Sequence, residues 1–179
     1  ATTTRVTDIA IKEMETASVF PQRLSVDAGA TATLDLDAPG AGSATFASVA
    51  LGADATLALA SERASTCILS PLALAGEGTV NVTGKAVAAF GEVTLGDAPL
   101  VVSGAWSARD AAITFRVDAT RLKGGRVLAQ LPRATCVDAA EPVFAATGLD
   151  GAVLSSAWRV SRSGDAVRLV PAGSLIVIR

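Results

Sequence analysis

The fold is decided by the stretch Val49-Ala50-Leu51-Gly52-Ala53-Asp54-Ala55-Thr56-Leu57, because other parts of the chain repeat its pattern. Residues 26–34 match it after a shift of 23, a further shift of 23 carries Thr56-Leu57 onto Thr79-Val80, and a fourth copy occupies residues 93–100. Apolar side chains alternate within each copy, which is typical of β-strands. A period of about 22 residues predicts the coils of a β-solenoid, which bury their apolar faces only by stacking.

The remaining sequence also predicts an all-β protein. Short β-branched segments alternate with turns rich in Gly, Asp and Pro, a pattern that hairpins of similar length in a β-sandwich or jelly roll would share. That sandwich is the alternative to the solenoid. Residues 158–161 and 166–170 flank a hairpin turn with Gly164 at its tip, and a last strand spans residues 175–178. We therefore expect an antiparallel C-terminal cap, with residues 1–23 as an N-terminal extension and residues 24–179 as the β-rich domain.

The composition excludes several classes of function. Half of the residues are hydrophobic, 18% are charged and 4% are aromatic, the net charge is -2, and the chain has no His and only two Cys. Catalysis by imidazole and the common zinc sites are therefore excluded. The charge shows no basic excess for binding a phosphate backbone. We expect no enzyme activity, no catalytic or metal-binding residues, no cofactor and no nucleic-acid partner.

Three small groups of polar residues are candidates for binding. Asp35 and Asp37 lie on one face of a strand, and either this pair or the turn at residues 148–151 could supply oxygen ligands of Ca²⁺, although solvated carboxylates are the simpler interpretation. Asn81 begins the sequon Asn-Val-Thr, where glycosylation is a further hypothesis. Three arginines, at positions 159, 162 and 168, could bind an acidic polysaccharide, but a solvated strand face explains them more simply.

The two cysteines bear on the cellular compartment. A disulfide between Cys67 and Cys136 would close a loop of about 70 residues and stabilise the fold by roughly 4 kcal/mol. We predict this bridge and an oxidising, extracellular location, with two free buried thiols as the alternative. No run of eighteen apolar residues predicts a membrane-spanning helix. The chain begins at Ala1 without a Met, as expected of an exported protein whose signal has been removed.

The repeats resemble those of the autotransporter-associated β-strand repeat proteins, which are secreted by Gram-negative bacteria. The family's repeats look like V-x-x-G-A-T-L-x-L and G-x-G-T-L-x-V-x-G. The corresponding segments here are residues 49–59 and 76–84, and the likeness extends over residues 24–179. The resemblance implies export, a β-helical architecture and a surface or adhesive role, with no catalytic residues to transfer. The chain departs from true autotransporters because it contains no outer-membrane barrel of about 250 residues with its aromatic girdles.

These observations favour a secreted structural subunit that assembles with itself into a fibre or surface coat. Strand-like segments at the two ends of the chain could add to a neighbouring copy through backbone hydrogen bonds. The assembly residues we expect are Val6, Ile9 and Ile11 at the head and Leu175, Ile176, Val177 and Ile178 at the tail. The alternative is a carbohydrate-binding or adhesin module that contacts cell-surface glycans, which would need exposed aromatic residues rather than a buried Trp106 and Trp158.

Overall fold

The fold is described here from a computed structural model, which covers residues 3–6, 10–11, 20–37 and 43–173. Within these residues the chain forms β-strands and three single-turn 3₁₀ helices at Arg109–Ala111, Ala119–Arg121 and Arg133–Thr135. The strands are β1 (Thr3–Val6), β2 (Ala10–Ile11), β3 (Phe20–Val26), β4 (Thr31–Asp35), β5 (Ser43–Leu51), β6 (Ala55–Leu69), β7 (Leu72–Leu74), β8 (Gly78–Phe90), β9 (Glu92–Thr94), β10 (Leu100–Ser103), β11 (Trp106–Ala108), β12 (Ala112–Val117), β13 (Arg126–Gln130), β14 (Val143–Gly148), β15 (Trp158–Ser163) and β16 (Ala166–Pro171).

The strands form a β-solenoid of about four turns with a period of about 23 residues. Three parallel sheets run along its axis. Sheet 1 contains β1, β3, the end of β5, β7, β9, β12 and β14. Sheet 2 contains β2, β4, the first halves of β6 and β8, β10 and β13, and sheet 3 contains the start of β5, the second halves of β6 and β8, and β11. Parallel pairing of successive coils confirms the solenoid and is incompatible with a sandwich of hairpins.

The core consists of ladders of apolar side chains that stack from coil to coil. In sheet 1, Leu24 lies beside Val49, which is followed by Leu72, Val93 and Phe115, and each of these side chains is at most 2% exposed. Alternation along each strand turns the intervening residues outward. The apolar positions that the sequence repeats therefore have one physical role, because each covers its equivalent in the neighbouring coil.

The alignment of the first two copies is wrong by two residues. The sequence places Val26 against Val49, but in the structure Val26 lies beside Leu51 and Thr31 beside Thr56, a shift of 25. The next shift of 23, from Thr56 to Thr79, is confirmed. An error of two leaves every side chain on its correct face, because the side-chain period of a strand is two.

The C-terminal cap is confirmed as antiparallel. β16 pairs with β13 and β15 pairs with β16, so sheet 2 ends in a hairpin. The last strand predicted there, residues 175–178, lies outside the described residues. At the other end, β1 pairs with β3 and β2 pairs with β4, and the predicted boundary between residues 23 and 24 falls within β3.

The predicted disulfide is absent, and both cysteines are free thiols. Cys67 lies beside Ala88, Ala88 beside Trp106, and Trp106 beside Cys136, so three strand spacings separate the two cysteines. Three spacings of about 4.8 Å place the Cα atoms roughly 14 Å apart, whereas a disulfide joins Cα atoms up to about 6.8 Å apart. The prediction was wrong because both cysteines belong to one column of sheet 3, which the sequence does not reveal.

Candidate functional site

At the N-terminal end of the solenoid, the described residues leave two sheet edges open. Among the described residues β1 pairs only with β3 and β2 only with β4, so each has a hydrogen-bonding partner on one side. Of the assembly residues predicted at the head, Val6 belongs to β1 and Ile11 to β2, whereas Ile9 lies outside the described residues. An open edge presents unpaired backbone donors and acceptors, which another strand can satisfy.

The direction of the backbone groups in β1 follows from the pairing of β3. The N–H of Gly52 donates to the Val26 carbonyl at 2.8 Å, so Val26 directs its backbone groups toward β5. Its neighbour Ser25 therefore faces β1, where it lies opposite Arg5. In a parallel ladder Ser25 bonds the residues on either side of Arg5. The N–H and C=O of Arg5 consequently point away from the sheet, at the open edge.

The C-terminal end of the solenoid is closed over its core by Arg162. The guanidinium of Arg162 lies 5.4 Å from the centroid of the Trp106 ring and 5.6 Å from that of Phe144. It donates to the Leu131 carbonyl at 2.8 Å and lies 3.8 Å from a carboxylate oxygen of Glu141. Only 7% of the Arg162 side chain is exposed. This cation thus fills the last position of the core, between two aromatic rings.

The residues around Arg162 fix its surroundings with hydrogen bonds. The indole N–H of Trp106 donates to the Pro132 carbonyl at 2.7 Å. Arg133 donates to the second oxygen of Glu141 at 3.1 Å. The side chain of Asp138 accepts the N–H of Ala108 at 2.7 Å. These contacts hold the chain segment after β13 against the core, where Cys136 of this segment pairs with Trp106.

The edge of sheet 1 at this end is also partly covered. After β14 the chain turns back, the N–H of Gly148 donates to the Ala152 carbonyl at 2.8 Å, and Thr147 forms an antiparallel bridge with Val153. The return occupies the outer edge beside the end of β14. Two large apolar side chains of this return, Leu149 and Val153, are exposed. The two ends of the solenoid therefore differ in how the core is covered, because side chains and a return close the C-terminal end. Among the described residues β15, like β1 and β2, has a hydrogen-bonding partner on one side only.

The carboxylates considered for Ca²⁺ have structural partners. Asp37 accepts the hydroxyl of Ser61 at 2.7 Å and the N–H of Glu62 at 2.8 Å, and these bonds, above all the one from Ser61, lower the pKa of Asp37. Asp35 accepts the N–H of Asp37 at 3.1 Å. Donors thus surround the Asp37 oxygens, where a cation would need free lone pairs. In the described part of the chain, no group of three or more Cys, Asp or Glu side chains could hold a metal ion.

The other binding candidates are scattered over the fold. Asn81, half-buried on β8, accepts the hydroxyl of Ser103 at 2.9 Å. The three arginines do not share a face. Arg168 lies opposite Ser161 and so faces the same side of the sheet as Ser161, whereas Arg162, the residue after Ser161, points into the core. Trp158 is half-buried, in contrast to the fully buried Trp106. Arg162 was misjudged by sequence reasoning, although its even spacing from Trp158 and Val160 was a signal that it lies on the inner face.

Comparisons with protein-family models, with curated proteins and with solved structures find no match. The resemblance to autotransporter-associated repeats and the extracellular location stay predictions, and the location no longer has a disulfide to support it. Across residues 3–6, 10–11, 20–37 and 43–173, no helix has the length and apolar content to cross a membrane.

Proposed function

We propose that this protein is a structural subunit that joins copies of itself by β-strand addition at the open edge of its first coil. One observation carries the proposal: among the described residues β1 is hydrogen-bonded on one side only. Among the side chains that the structure describes, no exposed pair of aromatic residues favours an adhesin instead, since Trp106 is buried and Trp158 packs against the core.

The geometry of the edge defines the association. Two copies that meet through β1 are related by a two-fold axis, so their β1 strands run antiparallel and the same surface is used twice. The outward groups of Arg5 and Thr3, two residues apart, face the equivalent groups of the second copy. Sheet 1 then continues from one solenoid into the other without an edge between them.

The closed C-terminal end limits the size of the assembly. Arg162, the return after β14 and the hairpin β15–β16 block direct stacking of another coil on that end. Association through β1 alone therefore ends with a pair. Growth into a fibre or a coat needs a second contact, for which the predicted tail strand, residues 175–178, is the candidate.

The test removes a single outward N–H. In Arg5→Pro the missing donor lies on the open edge, so the β1–β3 bonds remain while the second copy loses a hydrogen bond. The matched control, Arg5→Thr, removes the same charge but keeps the N–H. Sedimentation velocity over a concentration series should show the wild type and Arg5→Thr shifting toward a mass about twice 17.9 kDa, with Arg5→Pro remaining monomeric. A wild type that stays monomeric, or an Arg5→Pro variant that associates normally through the exposed patch around Val153, would refute the proposal.

A further inference from the structure

An open groove with charged walls lies between two corner loops near the C-terminal end. One loop follows β9 and the other joins β12 to β13. The volume of the groove is about 750 Å³, within the range of small-molecule sites. Seven residues line it, namely Asp97, Thr120, Arg121, Lys123, Gly124, Gly125 and Arg126.

The groove concentrates positive charge in a chain whose net charge is -2. Three of the lining residues, Arg121, Lys123 and Arg126, are cations and one, Asp97, is an anion. Beside them, Arg168 donates to the Gly125 carbonyl at 3.1 Å and adds a fourth cation, and Asp118, 3.5 Å from Arg121, adds a second anion.

The cations differ in how strongly their own chain holds them. The guanidinium of Arg126 donates to the Gly96 carbonyl, so a hydrogen bond within the chain holds this side chain in place. Arg121 is 65% exposed and contacts Asp97 at 3.3 Å and Asp118 at 3.5 Å. Lys123 is exposed, and its side-chain ammonium has no hydrogen bond or ion pair with any residue that the structure describes. Lys123 and Arg121 are therefore available to a ligand, because weak exposed ion pairs exchange partners at little cost.

The mixture of charges selects the kind of ligand. Lys123 and Arg121 suit a carboxylate or another anion. The carboxylate of Asp97, 81% exposed, accepts hydrogen bonds and repels any ligand that offers only acceptors. A sugar acid satisfies both requirements, since it carries carboxylates for the cations and several hydroxyl donors for Asp97. Inorganic phosphate satisfies them less well, because it is mainly an acceptor and keeps only one or two O–H groups. We propose that this groove binds an oligosaccharide that carries carboxylate groups. This binding is independent of the self-association proposed above.

Calorimetric titration of the full chain with oligogalacturonate at low salt tests the proposal. We expect binding that Lys123→Ala weakens by about tenfold, since a charged hydrogen bond is lost. The matched control, Lys85→Ala, removes an exposed lysine from a distant corner and should leave the affinity unchanged. Asp97→Asn separates the two ligand chemistries, because it removes a repulsive charge and also an acceptor for hydroxyl groups. Weaker binding to Asp97→Asn would support the sugar acid.

Five outcomes would overturn the proposal, four of them with the charged ligands and the variants. These four are no heat of binding with oligogalacturonate, equal loss of affinity in Lys85→Ala, tighter binding by Asp97→Asn, and inorganic phosphate competing at the same concentration as the oligosaccharide. A neutral maltooligosaccharide serves as a further probe and should not bind. If it binds as well as oligogalacturonate, the cations have no role in recognition and the proposal is wrong.

Discussion

The guanidinium of Arg162 lies 5.4 Å from the centroid of the Trp106 ring, at the point where the stack of coils ends. An open solenoid end exposes the apolar side chains of its last coil to water, at a cost proportional to their area. Arg162 covers them with a flat cation whose charge is met by Glu141 and whose N–H groups are met by carbonyls. Guanidinium suits this position because it stacks on aromatic rings and is weakly hydrated.

Arg162→Ala should therefore destabilise the protein by about 3 kcal/mol, since it uncovers Trp106 and leaves the buried Leu131 carbonyl without a donor. The stability of Arg162→Lys should lie between that of the wild type and that of Arg162→Ala, because lysine keeps the charge but not the planar stacking. Urea unfolding followed by Trp fluorescence measures both. Arg23→Ala, an exposed arginine on sheet 1, is the control and should change stability by about 0.5 kcal/mol or less. Equal effects of the two alanine substitutions would contradict the account of Arg162.

Gly84 is required where sheet 2 turns into sheet 3. Its φ is +66°, and a Cβ added there would meet the carbonyl oxygen of Ser61 in the preceding coil. Gly84→Ala should cost roughly 3 kcal/mol, because backbone strain and a steric clash add together. At the tip of the β15–β16 turn, Gly164 has a φ of +58° but free space around it, so Gly164→Ala should cost only about 1 kcal/mol. Thermal unfolding compares the two variants, and a smaller loss for Gly84→Ala than for Gly164→Ala would be inconsistent with the structure.

Asp37 should make the stability of the corner at Ser61 depend on pH. Its hydrogen bonds to Ser61 and Glu62 lower the pKa of Asp37 below 3.8, its ordinary value. A lowered pKa means that the contribution of Asp37 to stability is complete above 3.8 and is lost as the pH falls through the folded-state pKa. Asp37→Asn should therefore unfold at a lower temperature than the wild type at pH 7, and the difference should shrink below pH 3.8.

The control for this pH dependence is Asp110→Asn. The Asp110 side chain is 92% exposed and its one ion pair, with Arg109, spans 3.7 Å. We expect the melting temperature of this variant to follow that of the wild type at every pH. If the gap between Asp37→Asn and the wild type is constant from pH 7 to pH 2.5, Asp37 does not stabilise the corner through its charge.

The two thiols should behave as unlinked residues of different accessibility. Burial raises the pKa of Cys67 to about 12, so a thiol reagent at pH 8 should leave Cys67 unmodified until the protein unfolds. Cys136 is half-buried, and burial also raises its pKa, so it should react slowly in the native state. Adding dithiothreitol should not change the midpoint of urea unfolding. A lower midpoint with reductant would show that a disulfide is present and that the column from Cys67 to Cys136 is described wrongly.

The sequence predicted those parts of the fold that depend on alternation. Val49 and Val93 could be assigned to equivalent positions because each begins a copy of the repeat, and in the structure Leu72 lies between them, 23 residues after Val49 and 21 before Val93. The exact register between the first two copies could not be predicted, because the corners take up insertions of two residues without moving a side chain to another face.

Long-range neighbours were harder to predict than strands. The distance between Cys67 and Cys136 depends on how many coils separate them within one column, and a longer segment joins Trp106 to Cys136 than joins Cys67 to Ala88. The groove at Lys123 brings together loops that are more than 20 residues apart in the chain. Neither arrangement leaves a periodic signal in the sequence. The inward position of Arg162 does leave one, because Arg162 is an even number of residues from Trp158 and Val160.

Amide hydrogen exchange at β1 tests strand addition most directly. We predict that the N–H of Arg5 exchanges freely in dilute protein and becomes protected by about tenfold or more as the concentration rises. The N–H of Val6, which bonds to β3 within the chain, should be protected at both concentrations. Association that leaves the Arg5 amide exchanging as fast as in the dilute sample would show that the copies meet through another surface, and the proposed strand addition would be wrong.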